Sequence, residues 1–227
     1  MTIPAKKTGL NRRTGFGYTC HRCLACCRFK KIQVNPYEIA RLARRLDLST
    51  TEFIIRHTTS GGTVLRFRED GTCAFLTDRG CGVHPDRPLV CRLYPLRRHV
   101  RFPEEESFDR LECEPECRGV FNKNGTIEEY LEEQGAGPFL HAADLYLDLL
   151  WRLLQTLQDQ RQDFDQAETL LQTVRSVSGD PAGGHDLSWI DMDRAVSYYC
   201  EQSGTPVPAD VEAQMVLHIK AVREWSA

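Results

Sequence analysis

The chain has 227 residues, 41% of them hydrophobic, with 29 lysines and arginines against 32 acidic residues. That is long enough to bury a core without cross-links. It holds no apolar run of the roughly eighteen residues a membrane span needs, since the nearest candidate, LYLDLLWRLL at 145–154, is broken by Asp148 and Arg152. The opening MTIPAKKTGLNRRTGFGY has basic residues but no apolar stretch behind them, so a secretory signal is not expected and a cytoplasmic protein is. Thiols stay reduced in that compartment, which leaves ten cysteines needing an explanation other than disulfides.

In chain order, residues 1–19 read as an irregular lead-in, followed by CHRCLACCRFK at 20–30. Asn35-Pro36-Tyr37-Glu38 is a helix start: Asn35 caps, Pro36 suits the first helical position, and Glu38 reaches back as in a capping box. Ile39, Leu42, Ala43 and Leu46 then repeat on one helical face. Ser49-Thr50-Thr51-Glu52 is a second capping box before Phe53, Ile54 and Ile55, a short helix stopped before Gly61-Gly62. TVLRFR at 63–68 alternates as a strand does, a turn follows at 69–71, and 73–77 returns as its partner. HPDRP at 84–88 begins a turn or one short helix carrying Leu89, Val90 and Cys91, and RRHVRF at 97–102 predicts a third short strand. Beyond about 120 the pattern is helical, at TIEEYLEE, from Phe139 to Leu157, and over 164–177, 191–202 and 208–225, with a loop at 178–184. The expected fold is therefore mostly α with minor short strands. A lead-in (1–19) precedes an irregular, metal-organised cysteine-rich half (20–120), packed on a helical half (121–227) with which it can share one core.

Nine of the ten cysteines lie between 20 and 117: Cys20, Cys23, Cys26, Cys27, Cys73, Cys81, Cys91, Cys113 and Cys117. Charge divides along the same line, with 21 basic against 11 acidic residues in 1–110 and 8 against 21 in 111–227. A basic half suits nucleic acid. It equally suits thiolates that nearby cations favour. The second reading is preferred, because the basic residues are dispersed and form no dense block.

Soft donors converging on one point bind thiophilic metals. Cys-x-x-Cys aims two thiolates at one ion, and Cys20, Cys23 and Cys26 extend this to the C-x-x-C-x-x-C spacing with which bacterial ferredoxins present three ligands to a [4Fe–4S] cluster. Cys27 is free to face a second metal or to remain a buried neutral thiol. The later cysteines sit at turns, and Cys113-x-x-x-Cys117 encloses Pro115. Nine thiols fill one four-thiolate site with five over, or two with one over. Structural zinc more often shows paired C-x-x-C units or histidine pairs, so an iron–sulfur cluster is expected, with zinc the alternative. The C-x-x-x-C-x-x-C spacing of radical S-adenosylmethionine enzymes is absent. A thioredoxin-like role would need a βαβ pattern, which is also absent.

C-x-x-C-x-x-C-C at 20–27, CAFL at 73–76, CGVHPDRPLVCRLYP at 81–95 and the C-x-x-x-C-R-G-V segment at 113–120 together resemble the YkgJ-like family, described as a zinc- or iron-chelating CxxCxxCC domain. The resemblance covers roughly 20–120. It implies metal ligation by the cysteines of the first block with Cys73, Cys81 and Cys91, and gives Cys113 a counterpart in the last block. Cys117 is an addition to that pattern.

Among the other residues, His21 and His84 read as neighbours of the site or surface groups, because thiols are already in excess. Arg87, Arg92 and Tyr94 suit hydrogen bonds to sulfur, binding of an anion, or pairing with acidic residues of the other half. Cys200, on an expected helix, reads as a buried thiol. No substrate, catalytic group or partner is legible.

Overall fold

The computed structural model describes residues 5–101, 105–160 and 189–225. The helix expected at 164–177 and the loop at 178–184 lie outside the described residues. Among the described residues the chain forms seven α-helices and nine strands, a mixed α+β fold. No helix among them is long and apolar enough to cross a membrane. The chain divides into two compact units: Met1–Gln33 with Val64–Leu140, and Val34–Thr63 with His141–Ala227. The sequence pattern suggested a single change of character near 120. The contacts interleave instead, and the two capped helices after the first cysteine block belong with the C-terminal helices.

The first unit is built on long-range strand pairing. Strands β1 (Ala5–Leu10) and β2 (Gly15–Thr19) stand where the sequence suggests an irregular lead-in. They are followed, within this unit, by the two-residue strands β4 (Val64–Leu65), β5 (Leu76–Thr77) and β6 (Gly80–Cys81), helix α3 (Leu89–Leu93), strands β7 (Leu96–Arg101), β8 (Glu105–Leu111) and β9 (Val120–Thr126), and helix α4 (Ile127–Glu133). β8 lies between β1 and β7 in an antiparallel sheet, with Leu10 opposite Phe108 and Arg98 also opposite Phe108 from the other side. β2 pairs antiparallel with β9, placing Gly17 opposite Asn122, Tyr18 opposite Phe121 and Thr19 opposite Val120. Gly17 is there for space: a Cβ would meet the Asn122 side chain at 2.0 Å.

The core of this unit gathers Leu10, Phe16, Leu93, Leu96, Phe108, Ile127, Tyr130, Leu131, Ala136 and Leu140, with Tyr18, Leu89 and Phe121 packed against it. Phe16 meets Tyr130 edge-on at 5.0 Å between centroids, an arrangement the ring quadrupoles favour. Thr126 caps α4, with Glu129 reaching back to the Thr126 N–H at 2.7 Å. Charge is matched inside the unit: Glu106 receives Arg12 at 2.6 Å and Arg98 at 2.5 Å, and both arginines hold its carboxyl below the ordinary value against the opposing effect of burial.

The second unit is helical. Helices α1 (Pro36–Arg45) and α2 (Thr50–His57) begin at the two capping boxes the sequence predicts, Asn35 with Glu38 and Ser49 with Glu52. The short strand β3 (Thr58–Thr59) follows. Helix α5 (Gly137–Gln160) enters this unit at His141, and α6 (Met192–Ser203) and α7 (Val211–Trp225) complete it. Asp191 caps α6 and also accepts from the hydroxyls of Thr50 at 2.5 Å and Thr51 at 2.6 Å, so one carboxylate ties the starts of two helices. Tyr37 donates to Glu212 at 2.7 Å, joining α1 to α7. Tyr37, Phe53, Leu149, Ile190, Met192, Met215 and His218 are buried here.

Candidate metal centre

The first cysteine block is wound tightly. Arg22 and Leu24 have φ of 51° and 64°, and Phe29 has 51°, left-handed values that cost energy in a residue with a Cβ. Three such residues within eight positions fold the segment into a series of turns, with a 3-10 turn at Ala25–Cys27 closed by Cys27 N–H to Leu24 O at 3.0 Å. The Arg22 N–H donates to the Cys20 sulfur at 3.4 Å.

Backbone bonds then tie this block to the next. Cys73 N–H donates to Cys27 O at 2.9 Å and Phe29 N–H to Gly71 O at 2.8 Å. Gly71 is at φ 77°, and a Cβ there would lie 2.1 Å from the Phe29 ring, so glycine is required by both conformation and space. Cys81 sits on β6, opposite Leu76. The last block turns through Cys117 N–H to Glu114 O at 2.8 Å, and an ion pair between Lys30 and Glu114 ties it to the first.

These connections bring distant thiols together. Cys26 lies against Cys27 and is close enough to feel Cys23, and Cys73 and Cys81 of the second block are close enough to feel Cys26. Cys117 has Cys23 and Cys113 within reach of a sulfur–sulfur hydrogen bond. Cys20 and Cys91 are exposed, and Cys200 is buried on α6 in the other unit. His21 and His84 are exposed. All ten cysteines are free thiols. Among the described residues no three His, Cys, Asp or Glu side chains meet in a constellation that could hold a metal ion as they stand.

Protonation follows from that crowding. Contact with Cys27 and then burial push the Cys26 thiol well above its ordinary value, and burial first of all raises Cys73, Cys81 and Cys113. Cys117 differs. Burial opposes its thiolate, but hydrogen bonds from Tyr18, the Gly119 N–H, Cys23 and Cys113 outweigh that and bring it below the ordinary thiol value. Tyr18 Oη and Cys117 Sγ are 3.1 Å apart, and the Gly119 N–H reaches the same sulfur at 3.4 Å. Buried thiols that repel one another as anions are what a bound cation reverses.

The donor chemistry suits a thiophilic metal such as zinc or iron, and one buried hydroxyl agrees. The Tyr94 hydroxyl lies beside Cys113 and the Glu114 backbone without a well-formed hydrogen bond. A Cys113 thiolate would be a stronger acceptor for it than the neutral thiol.

Two arginines of the second block serve the fold. Arg87 donates to the Gln134 side chain at 2.8 Å. Arg92, nearly buried, donates to the carbonyls of Pro85, Arg87 and Gln134. The residues that sequence reasoning missed are Tyr18 and Gly119. Neither carries a metal-binding signal, and only the β2–β9 ladder shows that they meet at Cys117.

The comparisons with known proteins point the same way. No solved structure matches the chain. An uncharacterized protein of Methanocaldococcus jannaschii is 28% identical over 119 residues, which span 51% of this chain and 64% of that protein. Residues 19–118 match the model of the CxxCxxCC family, described as "Putative zinc- or iron-chelating domain".

Proposed function

We propose that the 19–118 segment is a metal-binding domain in which cysteine thiolates hold an iron–sulfur cluster of the [4Fe–4S] type, with zinc as the alternative occupant. The observation that carries this is the approach of Cys26, Cys73 and Cys81, free thiols from two separated blocks whose ionisation burial and mutual repulsion oppose, with Cys27 in contact with Cys26. Ionising such a cluster is unfavourable unless a cation takes the charge.

The donors on this reading come from Cys20, Cys23, Cys26, Cys27, Cys73, Cys81, Cys91, Cys113 and Cys117. Arg68 and Arg87 favour the thiolate forms of Cys73 and Cys81. Tyr94 offers its hydroxyl beside Cys113. An iron–sulfur cluster would supply one-electron exchange and zinc a redox-inert cross-link. The C-x-x-C-x-x-C spacing favours the cluster. The role these residues support directly is structural: the loops bearing the cysteines are joined by few backbone bonds, and a common ion would hold them.

Much of the basic surplus in this unit is used internally. Arg12 and Arg98 meet Glu106, Lys30 meets Glu114, Arg28 donates to Thr72, and Arg68 donates to the carbonyls of Ala74 and Leu76. That use supports internal compensation over nucleic-acid binding.

The test is anaerobic purification followed by iron, zinc and acid-labile sulfide analysis. Iron and sulfide in equal amounts, with broad visible absorbance that bleaches on reduction, support the cluster. Stoichiometric zinc in colourless protein supports the alternative. Neither metal in never-oxidised material would refute both.

A further inference from the structure

Tyr18 and Gly119 stand one residue outside either end of the matched segment 19–118. Strand pairing brings those ends side by side, because Thr19 faces Val120 and Tyr18 faces Phe121 across the β2–β9 ladder. Both residues reach one sulfur, Tyr18 Oη at 3.1 Å from Cys117 Sγ and the Gly119 N–H at 3.4 Å from it.

The phenol is held in place. Its ring packs against Phe121 at 5.1 Å and edge-on against Tyr94 at 6.2 Å between centroids. The glycine makes room for it: a Cβ at residue 119 would lie 1.9 Å from the Tyr18 hydroxyl and 2.2 Å from the ring carbon that bears it. Any side chain there would drive the phenol off the sulfur. The backbone of Gly119 is not in the left-handed region, so the requirement is for space alone. Cys117 in turn touches Cys23 of the first block and Cys113 of the last. The two residues therefore fix one thiol that links both ends of the domain.

We propose that Tyr18 and Gly119 are a pair of positioning residues that aim the Cys117 sulfur at the metal centre, so that the β2–β9 ladder closes the two ends of the CxxCxxCC domain over its metal. This rests on the metal-binding reading above. Hydrogen bonds to a ligating thiolate orient it and spread its charge, and loss of such partners typically weakens metal binding about 10- to 100-fold. Tyr18 is the more informative of the two, because Tyr18→Phe removes one oxygen and keeps the ring packing.

The experiment is competition for Zn2+ between the reduced full-length chain and a chromophoric chelator under anaerobic conditions. Tyr18→Phe is expected to bind zinc about tenfold more weakly, with the thermal midpoint of the metal-free chain unchanged. Gly119→Ala is expected to lose at least as much, and Tyr18→Phe added to it to lose little more. In a Cys117→Ser background Tyr18→Phe is expected to change zinc affinity by less than about twofold, the coupling expected of two residues acting on one group. Parent affinity in Tyr18→Phe would overturn the proposal. So would an equal loss with and without Cys117, since Tyr18 would then act through general stability. A parent chain that binds neither zinc nor iron would instead overturn the metal reading itself, and this proposal with it. Should Gly119→Ala fail to fold, the Tyr18→Phe and Cys117→Ser cycle decides alone.

Discussion

The guanidinium of Arg92 lies over the ring of Phe139, with its central carbon 3.8 Å from the ring centroid. The same group donates to the carbonyls of Arg87 at 3.0 Å, Gln134 at 2.8 Å and Pro85 at 2.5 Å. One nearly buried cation thereby joins α3, the turn before it, and the end of α4. Cys91 is its chain neighbour, so the anchoring also sets where that thiol is carried.

Arg92→Lys should accordingly destabilise the protein. A lysine has no planar fork and cannot serve three carbonyls while stacking on a ring. We expect a loss of about 2 kcal/mol for Arg92→Lys, and about 3 kcal/mol for Arg92→Ala, which leaves buried carbonyls unpaired. Urea unfolding of the metal-free chain measures both. A lysine variant as stable as the parent would show that the fork is not needed.

Serine substitutions separate thiols that gather from one that does not. Cys23→Ser and Cys26→Ser remove donors at the junctions with Cys117 and with Cys73 and Cys81, and each is expected to lower metal bound per chain. Cys200→Ser changes a buried thiol on α6 that packs as a small apolar group. It is expected to cost about 1–2 kcal/mol of stability while leaving metal content unchanged. Metal analysis after anaerobic purification gives the comparison. Unchanged metal in both Cys23→Ser and Cys26→Ser would remove the first block from the ligand set.

What the sequence made legible was local. The capping boxes at Asn35 and Ser49 predict helix starts because a short side chain bonds a backbone N–H three residues on, and both starts are observed. The strand expected at 97–102 is β7 at 96–101, and the helix expected at 139–157 runs from 137 to 160. The strands β1, β2, β8 and β9 escaped detection, for each is defined by a partner far along the chain. GFGYT at 15–19 shows little apolar alternation, and its glycines suit close approach to β9. The site behaves likewise. The C-x-x-C-x-x-C-C run marks the donors, but the meeting of Cys23 with Cys117 and the contact of Tyr18 with Cys117 depend on that ladder. The interleaving of the units has the same cause: α1 and α2 lie between cysteine blocks in sequence, while their apolar faces pack with α6 and α7.

The second unit carries a pH dependence of its own. His218 is fully buried on α7, and the Tyr146 hydroxyl lies 3.0 Å from its Nδ1. Burial lowers the His218 pKa from 6.5 to about 4 and holds the Tyr146 phenol well above its usual value, so tyrosine donates to a neutral imidazole. Because the folded value is depressed, unfolding takes up a proton below pH 6.5. The stabilisation is complete above about 6.5 and is lost as pH falls toward 4, by at most about 3 kcal/mol. His218→Gln keeps an acceptor for Tyr146 and does not titrate. Urea midpoints of parent and variant, compared at each pH so that contributions common to both cancel, should converge between pH 6.5 and 4. A constant difference across that range would show that His218 does not supply the dependence.

Removing the metal should loosen the first unit selectively. Its cysteine-bearing loops rest on a few backbone bonds, including Cys73 N–H to Cys27 O and Phe29 N–H to Gly71 O, and on strands of two residues. Left-handed residues at Arg22, Leu24 and Phe29 add strain that other contacts must offset. Helices α1, α6 and α7 instead share a buried core with capped ends. Amide hydrogen exchange before and after chelation under reducing conditions is therefore expected to show faster exchange at Phe29 and Cys73, with α1, α6 and α7 still protected. Such selective opening is the behaviour of a region held by a ligand rather than by apolar burial. Unchanged protection at Phe29 and Cys73 after complete metal removal would mean that the loops hold themselves, and the structural role of the metal would fall.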